Sequence, residues 1–306
     1  MFAQTQNELH NMKHMSILAV SLLALVACTP EKKQEADYSQ YVNPMIGTDF
    51  TGNTYPGAQV PFGMVQLSPD NGLPGWDRIS GYFYPDTTIA GFSHTHLSGT
   101  GAGDLYDISF MPVTRPYKEA PAPLGIYSTF SHNDEAASAG YYRVLLKDYN
   151  INVELTATER CGIQRYTFPE AEASVFLNLK KAMNWDFTLD SKIEVVDSTT
   201  IRGYRLSQGW SPLQHVYFET RFSKPFVACH MDTTSIVTKE KGWIGTAYVA
   251  RFDFNTKKDE EILVTTGISG VSMEGAGKNL RAEAPKDDFD YYQAQASANW
   301  NRQLSK

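Results

Sequence analysis

Two short stretches of this chain concentrate side chains that can do chemistry. In Pro74-Gly-Trp-Asp-Arg78 an indole, a carboxylate and a guanidinium follow one another in a turn-rich segment. A Trp face stacks on the C–H bonds of a sugar, and its N–H donates to a hydroxyl. Asp77 and Arg78 can bind sugar hydroxyls or simply pair with each other, and the bland role for Trp76 is a plug at a sheet edge. In Gly91-Phe-Ser-His-Thr-His-Leu-Ser-Gly-Thr-Gly-Ala-Gly-Asp104 the two histidines, His94 and His96, stand two residues apart. That spacing sends both rings to one face of a strand. A metal pair needs a third ligand, and none stands at a telling distance. Histidines buried and hydrogen-bonded to neighbouring loops are the commoner case, with a part in shaping a cleft. The run Gly99–Asp104 lacks Gly-x-Gly-x-x-Gly spacing, and residues 105–112 read as a strand, so no helix N-terminus is there for a phosphate. A tight loop is the expectation. Asp104 and Asp107 have opposite strand parity and make poor partners.

Other chemistries lack their residues. Glycosidic cleavage needs two carboxyl groups across the bond, one of them protonated. The chain has 34 acidic residues, and no local context marks any as that pair, so no catalytic acid or base is nominated. There is no Gly-x-Ser-x-Gly elbow for a serine hydrolase and no Cys-x-x-Cys for a cysteine-held zinc. Cys161 and Cys229 could pair in an exported protein or stay as two thiols. A net charge of −7 without a basic cluster argues against nucleic acid.

The elements that must position these residues are mostly strands. The 306 residues suffice for one large core. Residues 53–104 are rich in Gly, Pro, aromatic and short polar residues and read as shaped loops. From about Tyr141 the pattern turns to short alternating or β-branched runs: 142–146, 151–157, 161–168, 174–179, 192–196, 200–205, 215–222, 226–229, 245–254 and 261–267. Runs of this kind, separated by Gly, Pro, Asn and Asp, predict a large antiparallel β-sandwich over residues 38–285. Residues 286–306 then switch period. Phe289, Tyr292, Ala296, Trp300 and Leu304 share one helical face, with Asp287 or Asp288 as cap. This helix either docks on the sandwich or leads onward.

The N-terminus reads as targeting sequence. Lys13 and His14 precede an apolar run, residues 17–27, too short to span a bilayer and ending Leu25-Val-Ala-Cys28. That ending resembles a bacterial lipobox. It implies a signal peptide over residues 1–28 (1–11 an over-extended start), lipidation at Cys28, a charged tether over 29–37, and an outer-membrane lipoprotein held only by its lipid.

Several words in order resemble a known family: Tyr41-Val-Asn-Pro-Met-Ile-Gly-Thr48, Tyr55-Pro-Gly-Ala58, Pro61-Phe-Gly-Met64, Ser68-Pro-Asp70, Gly75-Trp-Asp77, Ser80-Gly-Tyr82, and the segment from Gly91 to Gly101. So do Gly267-Ile-Ser269, Val271-Ser272, Glu274-Gly-Ala276 and Asn279-Leu280. Together they resemble the N-terminal domain of glycoside hydrolase family 92, bacterial exo-α-mannosidases. The resemblance implies a mannose-containing glycan as partner, α-1,2 linkage, inversion of configuration and calcium dependence. It places the catalytic carboxylates and the residues around calcium in a helical (α/α)6 domain absent from this chain, which makes the fragment inactive by itself. It also implies a sugar contact for Trp76, with Asp77, Arg78, His94 and His96 as further candidates. The competing expectation is a stand-alone glycan-binding surface lipoprotein.

Overall fold

The structure, a computed structural model, describes residues 36–180, 184–238 and 243–306. Cys28 and the targeting segment lie outside the described residues. Alternation of apolar and polar residues builds two large antiparallel sheets, beside two small two-stranded ones among the described residues. The six-stranded sheet runs, in spatial order, Ser68–Asp70, Gly91–Ser93, Ser109–Thr114, Ala171–Asn178, Trp243–Thr256 and Ala228–Thr238. The eight-stranded sheet runs Phe187–Val195, Thr200–Gln208, Gln214–Phe222, Glu260–Ser269, Cys161–Phe168, Ile151–Ala157, Tyr141–Leu146 and Glu135–Ser138. Their inner faces meet in one core that includes Phe92, Phe110, Val175, Phe252, Val153, Tyr166, Phe218 and Phe222. Phe222 stacks edge-on to Phe110 and tilts against Phe252, so it ties the two sheets together.

The outer face of the eight-stranded sheet is apolar where helices cover it. Two helices do so: α1, Met273–Glu283, and α2, Phe289–Leu304. Ser272 caps α1 by accepting from the Gly275 N–H, and Asp288 caps α2 by accepting from the Tyr291 N–H. Cys161, Ile163 and Leu263 point outward into a second cluster with Leu280, Ala284, Phe289 and Tyr292. Helix α2 therefore docks on the sandwich. The expected stripe holds at Phe289, Tyr292 and Ala296, whereas Leu304 is exposed. Helix α1 was not expected. Its Gly275 and Gly277 dilute the apolar signal that a helix period needs.

One reading is corrected, and one open alternative is decided. Residues 105–112 are not one strand. Leu105, Tyr106 and Ile108 take positive φ, and the strand begins at Ser109. Cys161 and Cys229 are both free thiols, one under α1 on the eight-stranded sheet and one on the six-stranded sheet. Burial pushes the Cys161 thiol up to about 12.

The registers place several turns at one end of the sandwich: residues 139–140, 158–160, 209–213 and 270–272 from the eight-stranded sheet. The loop 94–108 and residues 179–180 leave the six-stranded sheet at the same end, and residues 184–186 lead there into the strand Phe187–Val195. The loops that line the cleft described next meet at it, although the Trp76 loop, residues 71–90, springs from the opposite end of the Ser68–Asp70 and Gly91–Ser93 pair. No helix among the described residues is long and apolar enough to cross a membrane.

Candidate functional site

At this loop end lies an open cleft of about 660 Å³, lined by Trp76, Thr100, Gly101, Ala102, Trp185, Gly209 and Trp210. The three indoles are 59%, 44% and 85% exposed for Trp76, Trp185 and Trp210. Trp76 and Trp185 lie side by side, ring centroids 6.3 Å apart and 30° from parallel. Two large rings in that attitude, open to water, form a stacking platform.

Each ring stands on a different loop, and each loop is held from below by polar groups. Trp76 opens a single 3-10 turn, Trp76–Arg78. Asn184 fixes that turn: its Oδ1 accepts from the Gly75 N–H at 2.9 Å and its Nδ2 donates to the Arg78 carbonyl at 3.3 Å. Trp185 follows Asn184 directly and precedes Asp186. Asp186 is buried; its Oδ1 accepts from Arg205 Nη2 at 2.9 Å and its Oδ2 accepts from the Leu105 N–H at 2.8 Å. Arg205 is wholly buried and also donates to Asp107 Oδ1 at 2.7 Å and to Thr188 Oγ1 at 2.9 Å. Burial raises the pKa of Asp186 against the pull of Arg205. Desolvation opposes the Arg205 charge, yet the two carboxylates carry its pKa above the ordinary value. Trp210 sits in the 209–213 turn, where Asp104 Oδ2 accepts from the Ser211 N–H at 3.2 Å and from Gln214 Nε2 at 3.0 Å.

The segment Gly99–Asp104 is the keel on which these loops rest. A Cβ on Gly101 would stand 3.2 Å from the Trp76 ring, and one on Gly103 would stand 2.6 Å from the Asn184 Cβ. Glycine at both places lets the indole and the Asn184 loop come down onto the backbone. The expectation of a tight loop is met, with a specific purpose: close approach.

The candidate residues separate. Trp76 lines the cleft, and Asp77 is exposed beside it. Arg78 does not pair with Asp77; it forms a two-pronged bond with Asp86, whose hydrogen bonds raise its pKa. The fork fits the Asp86 carboxylate, and Asp77 adds only a smaller attraction to the Arg78 charge. His94 and His96 are buried and present no ring to a ligand. The strand Gly91–Ser93 ends before them, so strand parity does not govern their directions. His94 Nδ1 meets the Ile108 carbonyl at 2.8 Å; its Nε2 has no partner among the described residues. Burial pushes the His94 imidazole down to about 4. His96 bridges the Gln66 carbonyl at 2.7 Å and Asp70 Oδ1 at 2.9 Å. Both histidines thus brace loops. Trp185 and Trp210 escaped the reading of the sequence. Yet Asn184-Trp-Asp186 and Gly209-Trp-Ser-Pro212 share with Gly75-Trp-Asp77 a Trp flanked by turn formers, the signal that exposes a ring.

Among the described residues, no three His, Cys, Asp or Glu side chains converge to hold a metal ion. Those residues do not fit a calcium site.

The sequence profile of the glycosyl hydrolase family 92 N-terminal domain matches residues 41–269. A family 92 α-mannosidase from Bacteroides thetaiotaomicron, solved with mannoimidazole, is 37% identical, with a TM-score of 0.80 over 88% of this chain and 37% of that one. An inverting family 92 mannosidase from the same species is 26% identical, with a TM-score of 0.73 over 88% of this chain and 36% of that one. An uncharacterized secreted glycosidase of Arthroderma benhamiae is 26% identical over 172 residues, 53% of this chain and 21% of that protein. The chain thus spans little more than a third of the solved relatives and about a fifth of the curated one.

Proposed function

From the premise that this chain belongs to glycoside hydrolase family 92, through that family's N-terminal domain, we propose that it forms one wall of the sugar cleft of an exo-acting, inverting α-mannosidase. Its partner is α-linked mannose of glycans, α-1,2-linked before other linkages. The observation that carries this reading is the open platform of Trp76 and Trp185 with Trp210 beside it. Pyranose rings present C–H faces that stack on indoles, while their hydroxyls take bonds from ring N–H groups and loop backbone.

The chemistry of bond cleavage is assigned to a helical lobe packed beside this wall. Two features favour such a neighbour. Phe62 and Val271, 95% and 83% exposed, flank the same loop end, and Met64 is bonded there to the Glu159 carbonyl. Apolar side chains standing that far out fit a further lobe. The three exposed indoles also lack any convergent pair of carboxyl groups among the cleft-lining residues. Inversion calls for two carboxyls roughly 6.5–9.5 Å apart with a water between base and sugar, and these belong to that lobe in this reading. Calcium dependence is likewise proposed for the whole enzyme, as is export as a lipoprotein through Cys28.

The experiment is an assay of this chain alone, and of the longer polypeptide that the reading requires, on an α-1,2-linked mannobiose with and without calcium. Turnover by the longer form only, lost on chelation, supports the reading. Calcium-independent turnover by this chain alone overturns it. The same open platform supports a second reading, a stand-alone glycan-binding lipoprotein. Binding without turnover in every form of the protein selects that one.

A further inference from the structure

The Gly99–Asp104 segment ends in a carboxylate that the reading above leaves without a task. Asp104 is 3% exposed. Its Oδ2 accepts from the Ser211 N–H and from Gln214 Nε2; its Oδ1 is buried with no partner among the described residues. Leaving a buried carboxylate oxygen unmet costs about 1–3 kcal/mol, so the position is held for a reason other than its own comfort. Gly209 supplies the second half of the geometry. A Cβ there would fall 2.4–2.6 Å from the Asp104 carboxylate atoms, so any other residue would drive the turn off the acid. Between Gly209 and Gln214 stands Trp210, too exposed for packing of its own ring to fix it.

We infer that Asp104 is a positioning residue that sets where the Trp210 indole stands at the cleft, acting through Ser211, Gln214 and the bare backbone of Gly209. The acid clasps the turn at three successive points: against Gly209, at the Ser211 N–H, and at the Gln214 side chain. A turn clasped this way offers its ring in one attitude and loses less freedom when a sugar stacks on it. The consequence for binding rests on the sugar reading above; the consequence for the ring does not.

The test uses the 306-residue chain labelled with nitrogen-15, which gives one indole N–H signal for each of its 5 tryptophans. Trp210→Phe identifies the Trp210 signal. Asp104→Ala moves that signal to the position of a free indole, whereas the Trp300 signal, far off on α2, stays. Asp104→Asn, whose amide oxygen can accept both bonds, restores it. Titration with α-1,2-linked mannobiose then shows affinity reduced roughly tenfold in Asp104→Ala and recovered in Asp104→Asn. If Asp104→Ala does not fold, Gln214→Ala and Gly209→Ala must each move the Trp210 signal alone. A Trp210 signal unmoved by the alanine variants that fold overturns the assignment. If the wild-type chain binds no mannobiose but the indole signal moves as described, the sugar reading fails and the positioning role stands.

Discussion

The loop end and the α2 face both carry large aromatic rings, and they hold them in opposite ways. On the α2 face Phe289 and Tyr292 are buried against Cys161, Ile163 and Leu263, and Trp300 turns its indole N–H onto the Gln59 carbonyl at 2.7 Å. Apolar packing supplies the hold, and the rings are used up by the fold. At the loop end Trp76, Trp185 and Trp210 face water, and the hold comes from polar groups under the loops: half-buried Asn184, the buried Arg205–Asp186–Asp107 cluster and buried Asp104. A ring packed into a core cannot also meet a ligand. A ring held by its loop from beneath can, and the buried polar groups are the cost of leaving it free.

The difference can be broken most severely at Arg205. Arg205→Met leaves Asp107 and Asp186 buried with no cation, a loss of about 3–5 kcal/mol in denaturant unfolding. If apolar packing held the cleft loops, as it holds α2, the loss would stay near that of a volume-conserving swap, under about 1.5 kcal/mol. A second test uses the buried His94. Its folded value, about 4, lies below its ordinary 6.5, so between these values the unfolded chain binds the extra proton. Its contribution is fully present above pH 6.5, falls as pH drops toward 4, and totals about 3 kcal/mol. Urea melts over that range should show the slope, flattened in His94→Asn. Smaller effects sharpen the contrast. Trp76→Ala should weaken α-1,2-mannobiose binding about tenfold while the melting temperature changes little, because an exposed ring contributes to the ligand and not to the core. Trp300→Phe should do the reverse, costing about 1 kcal/mol of stability with binding unchanged, read by the same two measurements.

The two regions were also unequally legible in the sequence. The strands from residue 141 onward carry alternation that fixes both their type and their inner face, and Asp288 announces the start of α2. Helix α1 was hidden by its glycines. In the cleft, Trp76 showed itself because Pro74 and Gly75 mark a turn. Its companions did not, since what unites Trp76, Trp185 and Trp210 is contact across 109 residues between Gly75 and Asn184 and 107 between Asp104 and Ser211. No local pattern encodes such distances. Burial of His94 and His96 against neighbouring loops was the commoner case and it holds, but the parity argument for one shared face lapses, because parity applies within a strand and the strand had ended. Polarity alone also said nothing about whether an acid such as Asp104 faces water or a backbone N–H.

The claim that the three loop-end indoles make a sugar site meets its most direct test in one titration. The 306-residue chain, labelled with nitrogen-15, is titrated with α-1,2-linked mannobiose while its indole signals are followed. The account predicts that the Trp76 and Trp185 signals shift together and saturate, with Trp210 following and Trp300 still. Signals of Trp76, Trp185 and Trp210 that stay fixed as the sugar reaches saturating concentration, or a shift centred on Trp300, would contradict it.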